Sequence, residues 1–437
     1  MSTRRTALTG IAASLLHVCG FAQAPEGRRP PRPERPDRPD RPGRPEGPGR
    51  YSIQQATSDR AQLHTIAFNG LAFLTGDFAA DTFLPPGKVS DYFGFQYLRD
   101  IDAAGRGHNT SFLTGIAFNV LALLTPAQRA QLAGLARAQQ ADVRLFAELR
   151  LPLIRAFRQN LNAEFPAGSA GLDRRAVIRH SAVLYALDGQ IAWDRARVMA
   201  DVLGAFTEAQ RASLARLKFG DSRTWPEVDE PPERRTLPHD IDVAVMTYAS
   251  EMFAWAAGSP EADTYFCPER HGMYFGGFGF KTAPAMGKRD YAISTALTGD
   301  AGADFLALLT DTQREHIERL PALQRPLLAE IVELRRAIAT ELRRFLAAGQ
   351  ANRAKVLAWA QRYGELDGEM SYLHAMAFAA VAKTLAPAQR RSLSGLRESR
   401  PEDHRGPFLY SGPLDAATAA RWSDTRALFG LSEAPSR

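Results

Sequence analysis

The chain has 437 residues, 45% of them hydrophobic and 23% charged, an ordinary globular composition long enough for two or three cores. Its net charge of +6 sits mostly at the start, with +2 from Arg4 and Arg5, +3 from Pro25–Arg50 and only +1 from Tyr51 onward. Nucleic-acid binding needs basic side chains concentrated on a folded surface, so the composition argues against a nucleic-acid partner. The two cysteines, Cys19 and Cys267, exclude a disulfide framework and a cysteine-rich zinc site within one chain.

In chain order, Arg4 and Arg5 precede an apolar stretch, Ala7–Phe21, that is too short to span a bilayer comfortably. This pattern predicts an export signal over 1–22, cleaved after Ala22, and a periplasmic or extracellular protein. A lipid anchor at Cys19 is disfavoured by Val18 before it and by His17 in the apolar run. No later stretch offers about 18 uninterrupted apolar residues, so no transmembrane span is expected. Residues 23–50 form an Arg/Pro-rich linker. From Arg32 to Glu46 its Arg-Pro-acid period of three matches polyproline II and predicts a semi-stiff spacer.

From Tyr51 onward the chain repeats itself. At an offset of 182, the residues Thr65, Ala67, Ala72, Gly76, Asp81, Tyr92, Phe93 and Gly94 return as Thr247, Ala249, Ala254, Gly258, Asp263, Tyr274, Phe275 and Gly276. Leu124–Arg129 returns as Leu309–Arg314 at an offset of 185. Two further segments, around Leu187-Asp188-Gly189 and Phe206–Arg211, return near Leu366-Asp367-Gly368 and Leu385–Arg390 at an offset of 179. The expected organisation is therefore a helical unit over 51–218, a connector over 219–238, a second unit over 239–399, and a tail over 400–437 that packs on the body.

Both units read as helical. Phe146, Leu149, Leu153, Phe157 and Leu161 step by three or four, as do Leu327, Ile331, Leu334, Ile338, Leu342 and Phe345. Pro152 and Pro326 fall inside these patterns and predict kinks or breaks. The predicted fold class is all-α, with two tandem related helical units. Long loops rich in glycine and aromatic residues cover Phe83–Ser111 and Tyr265–Ile293. A helix is also expected over Ala416–Phe429.

Thr125-Pro126-Ala127-Gln128 has the form of a capping box, in which the threonine hydroxyl and the glutamine side chain satisfy each other's backbone N–H groups. Thr207 with Gln210 and Thr310 with Gln313 repeat it, while Ala386 replaces the cap before Gln389. By physics alone these are helix starts. The repeated Leu-Thr-x-x-Gln pattern also resembles the Spy/CpxP-type periplasmic proteins. The resemblance implies an all-helical, cofactor-free protein of envelope stress, acting as an ATP-independent chaperone, a regulator or a metal-linked relative, with unfolded or envelope proteins as partners. It covers the four motifs and their adjoining helices.

Few residues offer chemistry. Cys267, His271 and Met273, with His374 and Met286 as additional donors, form a soft ligand set suited to copper, and a copper- or haem-binding redox protein is the competing reading. The aligned positions in the first unit, Pro85, Val89 and Asp91, do not repeat the set. Tyr92, Phe93, Tyr274 and Phe275 are candidates to line an apolar ligand pocket, or else pack in the core. Asp100, Asp102 and Gly105 hint at a calcium loop but lack its remaining ligands. Asp188 and Asp367, each followed by glycine inside a helix, fit either a close helix crossing or a paired acid site. No nucleophile elbow, Walker loop, zinc-protease or c-type haem motif is present. The expected function is binding rather than catalysis, and a structural envelope component is a third reading.

Overall fold

The computed structural model describes residues 57–74, 111–217, 226–229, 236–257, 282–284, 292–294, 301–396, 408–409, 412–413 and 416–431. The protein is all-α. Its helices are α1 (Asp59–Leu74), α2 (Ser111–Leu123), α3 (Pro126–Asn162), α4 (Arg174–Gly204) and α5 (Glu208–Arg216), then α6 (His239–Ala257), α7 (Ala301–Leu308), α8 (Asp311–Glu318), α9 (Leu320–Arg343), α10 (Arg353–Thr384), α11 (Pro387–Gly395) and α12 (Ala416–Arg421). Two short antiparallel ladders pair Thr282–Pro284 with Ala292–Ser294 and Phe408–Leu409 with Gly412–Pro413.

The local sequence accounts for where these helices begin. Thr125, Thr207 and Thr310 accept from the backbone N–H three residues on, and the glutamine there accepts from the threonine N–H. Ala386 has no hydroxyl to offer, so only the glutamine half of the exchange remains, from Ala386 N–H to Gln389 at 2.9 Å. Asp173 caps α4 and Asn352, at the equivalent place, caps α10. The ends of the long helices also correspond: Ala163 (φ 59°) follows α3, and Ala348 (φ 55°) follows the 3-10 turn Arg344–Ala347 that continues α9, both left-handed.

Neither internal proline produces the break that the sequence reading allowed. Helix α3 runs unbroken through Pro152 and α9 through Pro326, because the burial of Leu151, Leu153 and Ile154, and of Leu328 and Ile331, outweighs one missing backbone bond. The break in the second half falls earlier, at Arg319, and Pro321 sits in the first turn of α9, where its missing N–H costs nothing.

Helices α6 to α11 repeat the order α1 to α5, with α8 and α9 together standing for α3. The leading helix of each half packs mainly on the other half: α1 on α7 and α9, α6 on α2 and α3. Side-chain bonds follow the same reciprocity. Arg174 of α4 pairs with Glu369 of α10, and Arg353 of α10 with Gln190 of α4. Arg158 of α3 donates to the Phe73 carbonyl at the end of α1 at 2.6 Å, and Arg343 of α9 to the Trp255 carbonyl at the end of α6 at 2.8 Å.

The centre of the molecule is the crossing of α4 and α10. A Cβ on Gly189 would lie 2.5 Å from Ala360 Cβ, one on Gly368 2.7 Å from Ser181 Cβ, and one on Gly364 2.6 Å from the Ser181 carbonyl oxygen. Close approach of the two backbones therefore requires glycine there, and it offsets the helix-propensity cost of each. Beside the crossing the Tyr185 and Tyr363 rings meet edge to face at 4.7 Å.

The C-terminal segment docks on α3 and on the loop between α3 and α4. Trp422 Nε1 donates to Glu148 at 2.9 Å, Thr425 Oγ1 to Gln159 at 2.7 Å, and the Asp173 N–H to the Leu428 carbonyl at 2.8 Å. The expected helix Ala416–Phe429 is two pieces, α12 and a 3-10 turn over Arg426–Phe429. Between them Ser423 Oγ donates to the Ala420 carbonyl and Asp424 accepts from the Arg426 N–H, local bonds that compete with a continuous helix.

Candidate functional site

The four capping segments meet in two clamps. Gln210 donates to Gln128 Oε1 at 2.8 Å and to the Leu123 carbonyl, at the end of α2, at 2.7 Å. In the second half Gln389 donates to Gln313 Oε1 at 2.8 Å and to the Leu308 carbonyl, at the end of α7, at 2.8 Å. Gln313 in turn donates to the Thr384 carbonyl at 3.0 Å. Each glutamine so placed opens its own helix and closes another. The arginine after each glutamine turns back to the helix before it: Arg129 to the Leu121 carbonyl at 3.2 Å, Arg211 to Gly204 at 3.1 Å, Arg314 to Leu309 at 3.1 Å, and Arg390 to Ala382. Cations near helix C-termini also favour the macrodipole. Leu-Thr-x-x-Gln-Arg thus encodes a complete junction between two helices.

At the α4/α10 crossing lies a buried polar centre. Asp188 and Asp367 are 4% and 6% exposed, and Arg335 of α9, equally buried, donates to the Tyr363 hydroxyl at 2.9 Å. Arg150 holds the equivalent position on α3 and is also buried. Burial above all, then the Asp367 carboxylate, the Tyr363 phenol and the Asp188 carboxylate hold the Tyr185 phenol well above its ordinary range. The Tyr185 phenol is therefore neutral, and both aspartates lie within electrostatic reach of its hydroxyl. The close-crossing reading of the two Asp-Gly pairs describes this geometry.

Two further polar clusters fix the exchanged helices. Under α6, Arg195 of α4 pairs with Glu251 at 3.2 Å and with Gln139 of α3 at 3.3 Å, and the Tyr248 hydroxyl donates to Gln139 at 3.0 Å. The Arg195 guanidinium also stands over the Tyr248 ring at 4.7 Å. Under α1, His374 Nε2 of α10 lies 2.7 Å from Gln324 Oε1 of α9, and Gln324 Nε2 donates to Gln62 of α1 at 2.8 Å. These are equivalent places: Gln139 and Gln324 are separated by 185, Arg195 and His374 by 179. All seven side chains are buried.

The sequence-predicted sites fall largely elsewhere. Cys267, His271, Met273, Met286, Tyr92, Phe93, Tyr274, Phe275, Asp100 and Asp102 lie outside the described residues, as do the export signal and the linker. His374 sits in the core with its Nε2 held by Gln324. Among the described residues no group of three or more His, Cys, Asp or Glu side chains is arranged to hold a metal ion. Among them also, no helix is long and apolar enough to cross a membrane. Sequence reasoning missed Arg195, Glu251, Gln139 and Gln324. Carrying the offsets of 179 and 185 along the helices finds Arg195, Gln139 and Gln324 as polar residues matched by polar residues, and the offset of 182 matches Glu251 to Asn69.

No protein-family model matches this chain, and no curated protein or solved structure matches it.

Proposed function

We propose that this chain is an exported helical binding protein of the cell envelope, of the kind the Spy/CpxP resemblance implies, acting without ATP on unfolded or envelope proteins. The observation that carries the reading is the pairing of the four Leu-Thr-x-x-Gln-type segments into two glutamine clamps, which gives the motif a constructive role in each half. A surface asymmetry supports it. Val183 of α4 and Leu145 of α3 are 59% and 40% exposed, on the seam where His180 bonds the Leu149 carbonyl at 2.6 Å. The equivalent positions in the second half hold a bidentate ion pair, Arg362 with Glu330 at 2.7 and 3.1 Å. The first half thus offers apolar side chains to a partner where the second is sealed by charge.

The test is light scattering of an unfolding client mixed with the mature protein at near-equal ratio and no nucleotide. Suppressed aggregation is expected, weakened in the doubly substituted Leu145→Glu, Val183→Glu protein while its thermal unfolding stays unchanged. Absence of any effect on several unfolded clients would sink the reading. One equivalent of copper or iron with a visible absorption band, lost on Cys267→Ser, would move the function to the second loop.

A further inference from the structure

We propose that the cluster of His374, Gln324 and Gln62 is an acid-sensitive latch, releasing helix α1 from the second half of the protein as pH falls while α6 remains held on the first. The inference rests on the geometry of the two equivalent latches and is independent of the proposed binding function. Each half is closed by a helix belonging to the other. The α6 latch is built from Arg195, Gln139, Tyr248 and Glu251; neither the guanidinium nor the amide takes up a proton in the range where histidine does, and the Glu251 carboxylate is paired with the guanidinium at 3.2 Å. The α1 latch replaces the arginine by an imidazole.

The surroundings of that imidazole cannot accommodate a cation. His374 is fully buried, its Nδ1 has no hydrogen-bond partner, and its Nε2 faces the oxygen of Gln324. That oxygen accepts from Nε2–H because the Gln324 NH2 group is already committed to Gln62 Oε1. Protonation would place a proton and a full charge on Nδ1 with nothing to receive either. Among the described residues, no compensating carboxylate faces it from the helices around it. From α9 and α1 come the amides of Gln324 and Gln62, while Asp59 of α1 and Arg325 of α9 pair with each other at the exposed rim. From α3 the charged side chain is Arg158, which stands on Phe73, which packs on Phe378, which packs on His374. On α10 itself Glu369 is engaged by Arg174 of α4 and Asp367 acts on Tyr185 at the crossing, while α8 meets α10 through Gln313 and Thr384. Burial accordingly depresses His374 to about 3. The other buried histidine, His180, bonds Leu149 between α3 and α4 and does not touch α6.

The experiment is hydrogen–deuterium exchange of the mature wild-type protein at pH 7.0 and 4.5, corrected for intrinsic exchange rates, comparing peptides of α1 with peptides of α6. Between a free histidine near 6.5 and a docked one near 3, linkage raises the opening of α1 about a hundredfold at pH 4.5. Protection of α6 is expected to change far less. In His374→Gln, which keeps a side chain able to bond Gln324 but does not titrate, the selective loss in α1 should disappear. If that variant does not fold at pH 7, exchange of the His374 C2 hydrogen in wild type decides, since its titration must coincide with the opening of α1. Equal loss of protection in α1 and α6, unchanged α1 protection at pH 4.5, persistence of the selective loss in His374→Gln, or a His374 titration separate from α1 opening each overturns the proposal.

Discussion

The two latches occupy equivalent places and solve the same packing problem with different chemistry. Under α6, Arg195 and Glu251 form an ion pair almost without solvent, supported by Gln139 and by the Tyr248 ring. Under α1, the equivalent faces of α9 and α10 present a neutral imidazole and an amide, and α1 itself adds a second amide. A buried ion pair costs several kcal/mol of desolvation per ion and returns it only when every partner is present. A neutral network is less costly to bury and more tolerant of loss, but here it is exposed to protonation. The fold tolerates either solution, so the backbone arrangement does not depend on the charge inside it.

The largest test of this contrast is Glu251→Ala, which strands Arg195 in the core and is expected to cost about 3–5 kcal/mol in a denaturant titration. Gln62→Ala on the opposite latch removes a neutral partner and should cost only about 1–2 kcal/mol. Equal losses would erase the distinction. Next comes pH. A histidine depressed from 6.5 to about 3 leaves the unfolded chain binding more protons between those values, so stability rises with pH across that window and is lost as pH falls through it. The slope is about 1.4 kcal/mol per pH unit below 6.5, or about 3 kcal/mol by pH 4.5. Urea midpoints should follow it in wild type and flatten in His374→Gln. His180 adds a weaker trend of the same sign, since burial, opposed in part by the Leu149 carbonyl, holds it below its ordinary value.

The crossing shared by both halves gives the third test. Gly364→Ala drives a methyl group into the Ser181 carbonyl and should destabilise by about 1–3 kcal/mol. Gly134→Ala on α3 meets no atom within 4 Å and should gain about 1 kcal/mol from helix propensity. Smaller still, Gln389→Ala breaks one clamp and should lower stability by about 1 kcal/mol, whereas Ser394→Ala on the exposed face of the same helix should leave the midpoint unmoved. The smallest effect is Ala163→Gly, a gain of about 0.5 kcal/mol from relieving a left-handed alanine at the end of α3, matched by Ala348→Gly in the other half if the two ends are equivalent.

Much of this architecture is legible in the amino-acid order. The all-α class follows from apolar periodicity, and three helix starts from threonine–glutamine spacing, because capping chemistry is local and a few residues suffice to encode it. The Asp-Gly pairs stand out as an anomaly, since glycine inside a helix asks for a reason. Their partners do not, because Ser181, Tyr185 and Ala360 are brought against them by a crossing of helices far apart in sequence. The prolines mislead for a related reason: a break at Pro152 or Pro326 follows from local chemistry, and the surrounding core overrides it. The buried latch residues escape because a lone arginine or histidine on an amphipathic helix reads the same whether it faces solvent or a carboxylate.

The sequence by itself determined that the body is helical, that threonine–glutamine pairs open three of the helices, and that the Leu-Thr-x-x-Gln-Arg segments are helix starts. All of these depend on interactions within a few residues. Only the tertiary structure decided that α1 and α6 exchange places, that the glutamines pair, and that His374 and Arg195 occupy equivalent positions with different proton chemistry. Those outcomes depend on long-range burial, which assigns a side chain its partners and its dielectric only after the helices have packed.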